Sequence, residues 1–265
     1  KMHTSPEHRF LVWSESGLVW STQQELTTDS WVATNHELVE FPVPSYDFDS
    51  ERDCARGSHN RKPFKYQGND EFLWELLGYI YGDGSIRPES FHICFGEAPK
   101  HISTTHGAEA FARSFCAKIN EHFGVGAIVS EGRKLSYRSV WKVGISNKSF
   151  REFCRLRLGV KTSNTYTKRF PSAVWCESAK HRAAFLRGLL SADGCINNVG
   201  SIDYRSTNHG LLEDAHQLFR TLGIRTTVRL ASLRVAVKDK IRFRERIGFL
   251  ISYKQERLDA WIPNA

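Results

Sequence analysis

The sequence predicts an α+β protein: two copies of one αββαββα unit behind a small β-rich N-terminal segment. Three observations carry this. The stretch LLGYIYGDGSI from Leu76 to Ile86 and the stretch LRGLLSADGCI from Leu186 to Ile196 share the phrase L-x-G-x-x-x-x-D-G, then one residue and Ile. Their aspartates, Asp83 and Asp193, stand 110 positions apart. After each copy, helix-like and strand-like stretches follow in the same order, which marks an internal duplication. The chain is also large enough for such a fold: 265 residues, 40% hydrophobic, with 17 Phe, 7 Trp and 8 Tyr to fill a core.

Residues 1–41 read as short strands. RFLVW, GLVWS and SWVA place β-branched and aromatic residues between turn-like breaks. Residues 42–68 are polar, charged and poor in aliphatics, and read as a linker. The first repeat is expected over 69–178 and the second over 179–265. Asn69 or Asp70 is placed to cap a helix whose apolar positions are Phe72, Leu73, Leu76, Leu77 and Ile80. Asp83-Gly84 should end it. Strand SFHICFG, helix HGAEAFARSFCAKINEHFG, strands VGAIVS and SYRSVWKVGIS and helix NKSFREFCRLRLG complete the first copy. In the second, AKHRAAFLRGLLSADG and HGLLEDAHQLFRTLG are helical. CINNVGSIDYRST and IRTTVRLASLRVAV are strands, and YKQERLDAW closes the unit.

Charge narrows the partner. Lys and Arg number 37 against 29 acids, a formal net charge of +8, and the pI is about 9.2. A basic balance favours a polyanion, because neutralised phosphates release condensed counterions. The mean hydropathy is −0.42, and no apolar run approaches the roughly 20 residues of a membrane span. KMHTSPEHRF has no apolar stretch of a signal peptide behind its charges. Six cysteines are scattered without C-x-x-C spacing, which suggests buried thiols in a reducing interior rather than a zinc or redox site.

Within each phrase, Leu76, Ile80 and Asp83, and likewise Leu186, Leu190 and Asp193, share one helix face. Gly78 and Gly188 lie near that face and would let two backbones approach closely. Two such helices side by side bring both carboxylates to one end, where they repel unless a cation lies between them. Hard divalent cations with carboxylate, water and phosphate oxygens suit such a place.

The doubled phrase resembles the LAGLIDADG homing endonucleases in their single-chain, two-motif form, over roughly residues 70–265. The resemblance implies pseudo-twofold halves with the motif helices at their interface, and antiparallel sheets forming a saddle over double-stranded DNA. It implies a monomer that makes staggered double-strand breaks at a long target site, with Mg2+ as cofactor. Mn2+ would substitute, and Ca2+ would support binding without cleavage. Asp83 and Asp193 would be the metal ligands, assisted by the backbone carbonyls of Gly82 and Ala192. Tyr81 and Ser191 replace the usual acid at the sixth motif position, which is not the metal ligand. Lys168, in a K-R-F-P segment 25 positions before Asp193, matches the lysine that polarises the attacking water or stabilises the developing phosphorane charge. Lys254 is its candidate counterpart, with the register open by two positions to Ser252.

Arg87, Arg138, Lys142, Arg205, Arg225, Arg229, Arg234, Lys238, Lys240 and Arg242 are the candidate DNA contacts. Ser5 and His8, at S-x-x-H spacing ahead of QQELTTDSWVA, resemble a block of an intein splicing domain, with Ser30 interrupting the pattern. Lacking the terminal nucleophiles and the His-Asn pair, the chain is expected not to splice by itself. Residues 1–66 are expected to be separable from the nuclease core. The implied setting is the cytoplasm or nucleoid of a bacterial or phage-infected host. The alternative reading is a maturase or a non-cleaving DNA-binding regulator.

Overall fold

The computed structural model describes residues 5–7, 9–14, 17–32, 38, 40–54, 62–96, 107–132 and 140–262. The chain forms two units, Lys1–His36 and Glu37–Ala265. In the first, β1 (Arg9–Ser14), β2 (Gly17–Thr22) and β3 (Trp31–Val32) make an antiparallel sheet in the order β2-β1-β3. The three strand-like stretches of the sequence are thus strands. His8, half of the S-x-x-H spacing, lies outside the described residues.

The second unit begins with a correction. Part of the expected linker is folded: β4 (Tyr46–Asp49), α1 (Ser50–Asp53) and β5 (Lys65–Gly68) form a hairpin-like pair with register Tyr46↔Gly68 to Asp49↔Lys65. Phe48 is 1% exposed and Phe64 4%. Phe48 meets Phe153 at 5.5 Å between ring centroids, and Phe64 stands edge-on to Phe150 at 5.3 Å. Two aromatics in a polar stretch give no periodicity, so the sequence shows composition where tertiary partners decide burial. The segment also holds the starts of both motif helices. Glu177, fully buried, accepts from Tyr46 Oη at 2.5 Å, from Asn69 Nδ2 at 2.8 Å and from His181 Nδ1 at 2.8 Å. Asn69 Nδ2 also donates to the Pro44 carbonyl at 2.9 Å. Arg52 and Lys65 in this segment are paired with Asp47, Asp53 and Asp49.

The first repeat runs α2 (Glu71–Tyr81), β6 (Gly84–Ile86), β7 (Phe91–Gly96), α3 (Ala108–Phe123), β8 (Ile128–Glu131), β9 (Val140–Ile145) and α4 (Lys148–Arg157). The second runs α5 (Ala179–Asp193), β10 (Gly194–Ile196), β11 (Ile202–Arg205), α6 (His209–Thr221), β12 (Thr226–Arg229), β13 (Ser232–Val235) and α7 (Lys240–Arg246). The sheets have matching orders, β6-β7-β9-β8 and β10-β11-β13-β12. The third helix of the second copy is α7, in a basic stretch read only for its charges. The expected closing helix is an additional one, α8 (Ser252–Trp261).

Local chemistry sets these boundaries. Asp70 caps α2 by accepting from Leu73 N at 2.9 Å, and Ser178, Asn147 and Asn208 cap α5, α4 and α6 in the same way. Residues 72–81 of α2 are all buried, as a helix that is mostly apolar all round must be. Along β7, Phe91, Ile93 and Phe95 face inward. His92 and Cys94 face the other way, opposite Gly144 and Lys142 of β9. This settles the face of Lys142, which the alternation in the sequence leaves ambiguous. Of the cysteines, Cys116 and Cys154 are buried and Cys176 is exposed, so buried thiols describe only some of them.

The separability of residues 1–66 fails with the linker, because Phe48 and Phe64 belong to the core. A chain beginning at Gln67 should be unfolded or insoluble, whereas one beginning at Leu38 keeps the whole core and should show a cooperative melt. Phe48→Ala in the full chain should cost about 3–5 kcal/mol in denaturant titration.

Candidate active site

Helices α2 and α5 cross at the two motif glycines. A Cβ added at Gly78 would overlap the Phe185 carbonyl oxygen and sit 2.8 Å from Leu189 N, and one at Gly188 would overlap the Glu75 carbonyl oxygen. Only hydrogen fits at these positions, so the backbones touch. One turn on, a Cβ at Gly82 would lie 2.6 Å from the Ala192 Cβ and 3.6 Å from Asp193 Oδ2. The crossing therefore delivers both motif aspartates to one place, as the shared helix face requires.

The carboxyl groups of Asp83 and Asp193 lie against each other, close enough to share a proton. Asp83 is exposed and Asp193 half-buried. Asp193 is pushed up to about 7, first by burial, then by the Asp83 charge and the shared hydrogen bond; Lys254 and Lys168 act weakly in the opposite direction. Two like charges cannot both ionise freely in this setting, so the pair holds a proton near neutral pH.

The two lysines occupy matching positions. Lys168 Nζ donates to the carbonyls of Ile80 at 3.3 Å, Tyr81 at 3.2 Å and Gly84 at 2.7 Å. Lys254 Nζ donates to Leu190 at 3.4 Å, Ser191 at 2.7 Å and Ala192 at 3.1 Å. Each ammonium spends its donors at the C-terminal end of one motif helix, Lys168 reaching also the Gly84 carbonyl just beyond α2, where orphan carbonyls and the helix dipole favour a cation. Both lysines are buried. Burial lowers both, Lys254 to about 8. Of the two registers left open, Lys254 is the one at the carboxylate pair; Ser252 begins α8. The Ala192 carbonyl already accepts from Lys254 but keeps a second lone pair.

The sixth motif positions do structural work. Ser191 Oγ accepts from Leu250 N at 2.7 Å. Tyr81 packs against Phe170 and Phe185 at 6.1 and 5.7 Å between ring centroids. Beside Asp83 opens a cavity of about 200 Å³ lined by Tyr79, Phe95, Phe111, Ile251 and Lys254 among others.

Among the described residues no cluster of three or more His, Cys, Asp or Glu could hold a metal. What the pair offers is two adjacent carboxylates sharing a proton, with backbone oxygens nearby. A hard divalent cation can replace that proton, and an all-oxygen donor set suits Mg2+, Mn2+ or Ca2+ rather than zinc. The residues fit such an ion.

The candidate DNA contacts divide into groups. Arg138 lies outside the described residues. Arg205 and Arg229 are exposed on the outer face of the second sheet, and Lys142 lies on that of the first. Arg87 is exposed in the turn after β6, and Lys238 and Lys240 lie at the start of α7. Arg225, Arg234 and Arg242 are not free charges. Asp239, 1% exposed, accepts from Arg225 Nε at 2.7 Å and Arg242 Nη1 at 3.2 Å, and Asp203 accepts from Arg234 Nε at 2.6 Å. The sequence reading missed these acids, because pairing across strands depends on register. It also missed Asn208 and Asp214. Asn208 Nδ2 donates to the Lys168 carbonyl at 2.9 Å. Asp214 accepts from Phe170 N at 2.9 Å. Together they fix the segment that carries Lys168.

A raised Asp193 has a sign for stability. The metal-free folded state holds its proton more tightly than the unfolded chain, so stability falls as pH rises from about 4 to 7. Asp83→Asn removes the neighbouring charge. Its melting temperature should exceed that of the unmodified protein by a margin that grows from pH 5 to pH 8, measured by scanning calorimetry without divalent ions. A margin independent of pH would contradict the shared-proton pair.

Several known proteins are similar to parts of this chain. Residues 180–248 match the model of a family described as a LAGLIDADG-like domain. A DNA polymerase of Thermococcus sp. (strain GE8) is 25% identical over 207 residues, and one of Thermococcus litoralis 27% over 203; each match covers 70% of this chain and 11% of the polymerase. The chain thus spans about a tenth of the length of these curated relatives. Among solved structures, the homing endonuclease I-DmoI in complex with DNA and Ca is 19% identical, covering 67% of this chain and 88% of that chain at a TM-score of 0.45. Mesophilic variants of the same protein match at 20% identity and a TM-score of 0.46, with 67% and 88% covered. Residues 180–248 are thus similar to a LAGLIDADG-like domain, and the first half of the chain repeats the motif and the strand order found there.

Proposed function

We propose that this chain is a site-specific, divalent-metal-dependent endonuclease that makes staggered breaks in double-stranded DNA as a monomer. The observation that carries the reading is the Asp83–Asp193 pair, flanked by one buried lysine from each half. Duplicated halves supply one sheet face for each side of a long duplex site, and the charge of +8 suits a phosphate backbone. I-DmoI is described in complex with DNA and with Ca or Mn, in keeping with this reading.

The relatives add a second line of support. Matching segments occur in DNA polymerases, in a SufBD family protein of Mycobacterium leprae and in a replicative helicase of Rhodothermus marinus, and occupy 10–21% of the five. These proteins share no single activity, so the common segment reads as an element inserted in unrelated hosts. An intein-type origin fits that distribution, with the β-rich unit before His36 as a splicing-fold remnant.

In the mechanism, Asp83 and Asp193 would hold the cation, assisted by the backbone carbonyls of Gly82 and Ala192. The bound metal would polarise the scissile phosphate and lower the pKa of an attacking water. Lys168 and Lys254 contribute fixed positive charge rather than mobile protons, since their donors are committed to helix carbonyls. That charge favours ionised carboxylates before the reaction and offsets negative charge that builds on the phosphate during it.

The test is cleavage of a duplex library by the full chain in magnesium or in EDTA. Asp83→Asn and Asp193→Asn should each abolish double-strand cleavage, or leave nicking alone, while binding in calcium persists. Wild-type rates in both variants would remove the site from the chemistry. Binding without cleavage by the unmodified chain in either Mg2+ or Mn2+ would favour a maturase or regulator. Lys168→Met should slow single-turnover cleavage by about 10²–10³, with little change in affinity. It also strips the last turn of α2 of its donor, so its melting temperature should fall.

A further inference from the structure

Four residues cross the second sheet as one row: Cys195 opposite Asp203, Asp203 opposite Arg234, and Arg234 opposite Thr227. All lie on the outer face, because Ile196, Ile202, Tyr204, Leu233 and Val235 of the same strands are buried on the other. Asp203 is the exception to outward exposure. Its side chain is 3% exposed, covered by Arg234, whose side chain is 41% exposed. Arg234 Nε donates to Oδ1 at 2.6 Å and Nη2 to Oδ2 at 3.2 Å.

This fork leaves a defined remainder. A guanidinium has five N–H donors in one plane, and Asp203 takes one from Nε and one from Nη2. The other three, on Nη1 and the far side of Nη2, form a second edge that points away from the carboxylate. A simple phosphate contact gains nothing from a buried acid beneath it, since the carboxylate charge opposes the phosphate. A planar pair of acceptors does gain, because the arginine is already fixed in orientation. Guanine N7 and O6 in the major groove are such a pair. Arg225 makes a similar fork with Asp239, but that carboxylate also accepts from the Arg225 backbone N–H and from Arg242, which ties β12 to α7.

Position supports the same assignment. Cys195 is two residues past Asp193 on β10, about 7 Å along the strand, and Arg234 is two strands across, about 10 Å. That puts Arg234 roughly 12 Å from the carboxylate pair, or about four base pairs at ~3.4 Å each. The matching row of the first half is Ser85, His92, Gly144 and Ile128, with no arginine and no acid.

We propose that Arg234 is a specificity-determining residue that reads one guanine in the major groove, that Asp203 is its positioning residue, and that the target is asymmetric at this place. This rests on the DNA-endonuclease reading above. The test is binding selection by the full chain, in calcium, from a pool of duplexes of random sequence, followed by sequencing. The unmodified protein should enrich a G·C pair at one position within about four base pairs of the site centre, with no G·C counterpart at the mirrored position. Arg234→Gln should move that position toward A·T, since Gln pairs with adenine in the same groove. Asp203→Asn should lower its enrichment about tenfold and leave the rest of the sequence intact. Unchanged selection by both variants, or an even loss at every position, would overturn the proposal. If the unmodified chain enriches no sequence at all, the DNA reading itself fails, whereas a selected sequence insensitive to Arg234 and Asp203 defeats only the assignment made here.

Discussion

Two helix backbones in contact are the constraint on which the rest of this structure depends. At Gly78 and Gly188 there is room for hydrogen alone. A single methyl group at either would push α2 and α5 apart and carry Asp83 and Asp193 with them. The contact is unfavourable at its far end, where a half-buried carboxylate sits against another and holds a proton to about pH 7. It is offset elsewhere. The burial of α2 on every side contributes, as does the network of Glu177, Tyr46, Asn69 and His181 that ties both helix starts together. A protein selected for stability alone would not place two acids there, and local rules are broken most often where function needs it.

The same symmetry governs the lysines. Lys168 follows α4, the third helix of the first copy, and Lys254 follows α7, the third helix of the second. Each reaches the last turn of the motif helix of its own copy. One device has been used twice: a cation that satisfies three carbonyls at the negative end of a helix and also sets the field at the adjoining carboxylate. Binding and positioning are inseparable here, because loss of either lysine disturbs helix end and site together.

Much of this was legible in the residues. The repeated phrase locates the crossing, its glycines and both aspartates, and helical spacing gives α2 with its cap, and α3, α5 and α6. Lys168 follows from the resemblance of its K-R-F-P segment, 25 positions before Asp193, to that of the homing endonucleases. What was hidden depends on contacts distant in the chain. Phe48 and Phe64 stand in a polar stretch, and only Phe150 and Phe153 make them core. Arg234 and Arg225 read as solvent-facing charges until strand register and the α7 turn put Asp203 and Asp239 against them. Helix α7 was masked by its own arginines, since Phe243 is its single buried residue.

The central claim is that the crossing forces Asp83 and Asp193 to share one site. It is tested most directly by following the aspartate carboxyl carbons of the metal-free protein by NMR across pH 3 to 9. The account predicts coupled titration of the two motif aspartates, with the later step near pH 7, and its collapse to a single, lower step in Asp83→Asn. Independent titration of both below about pH 5 would contradict it, because the carboxyl groups would then be solvated and apart.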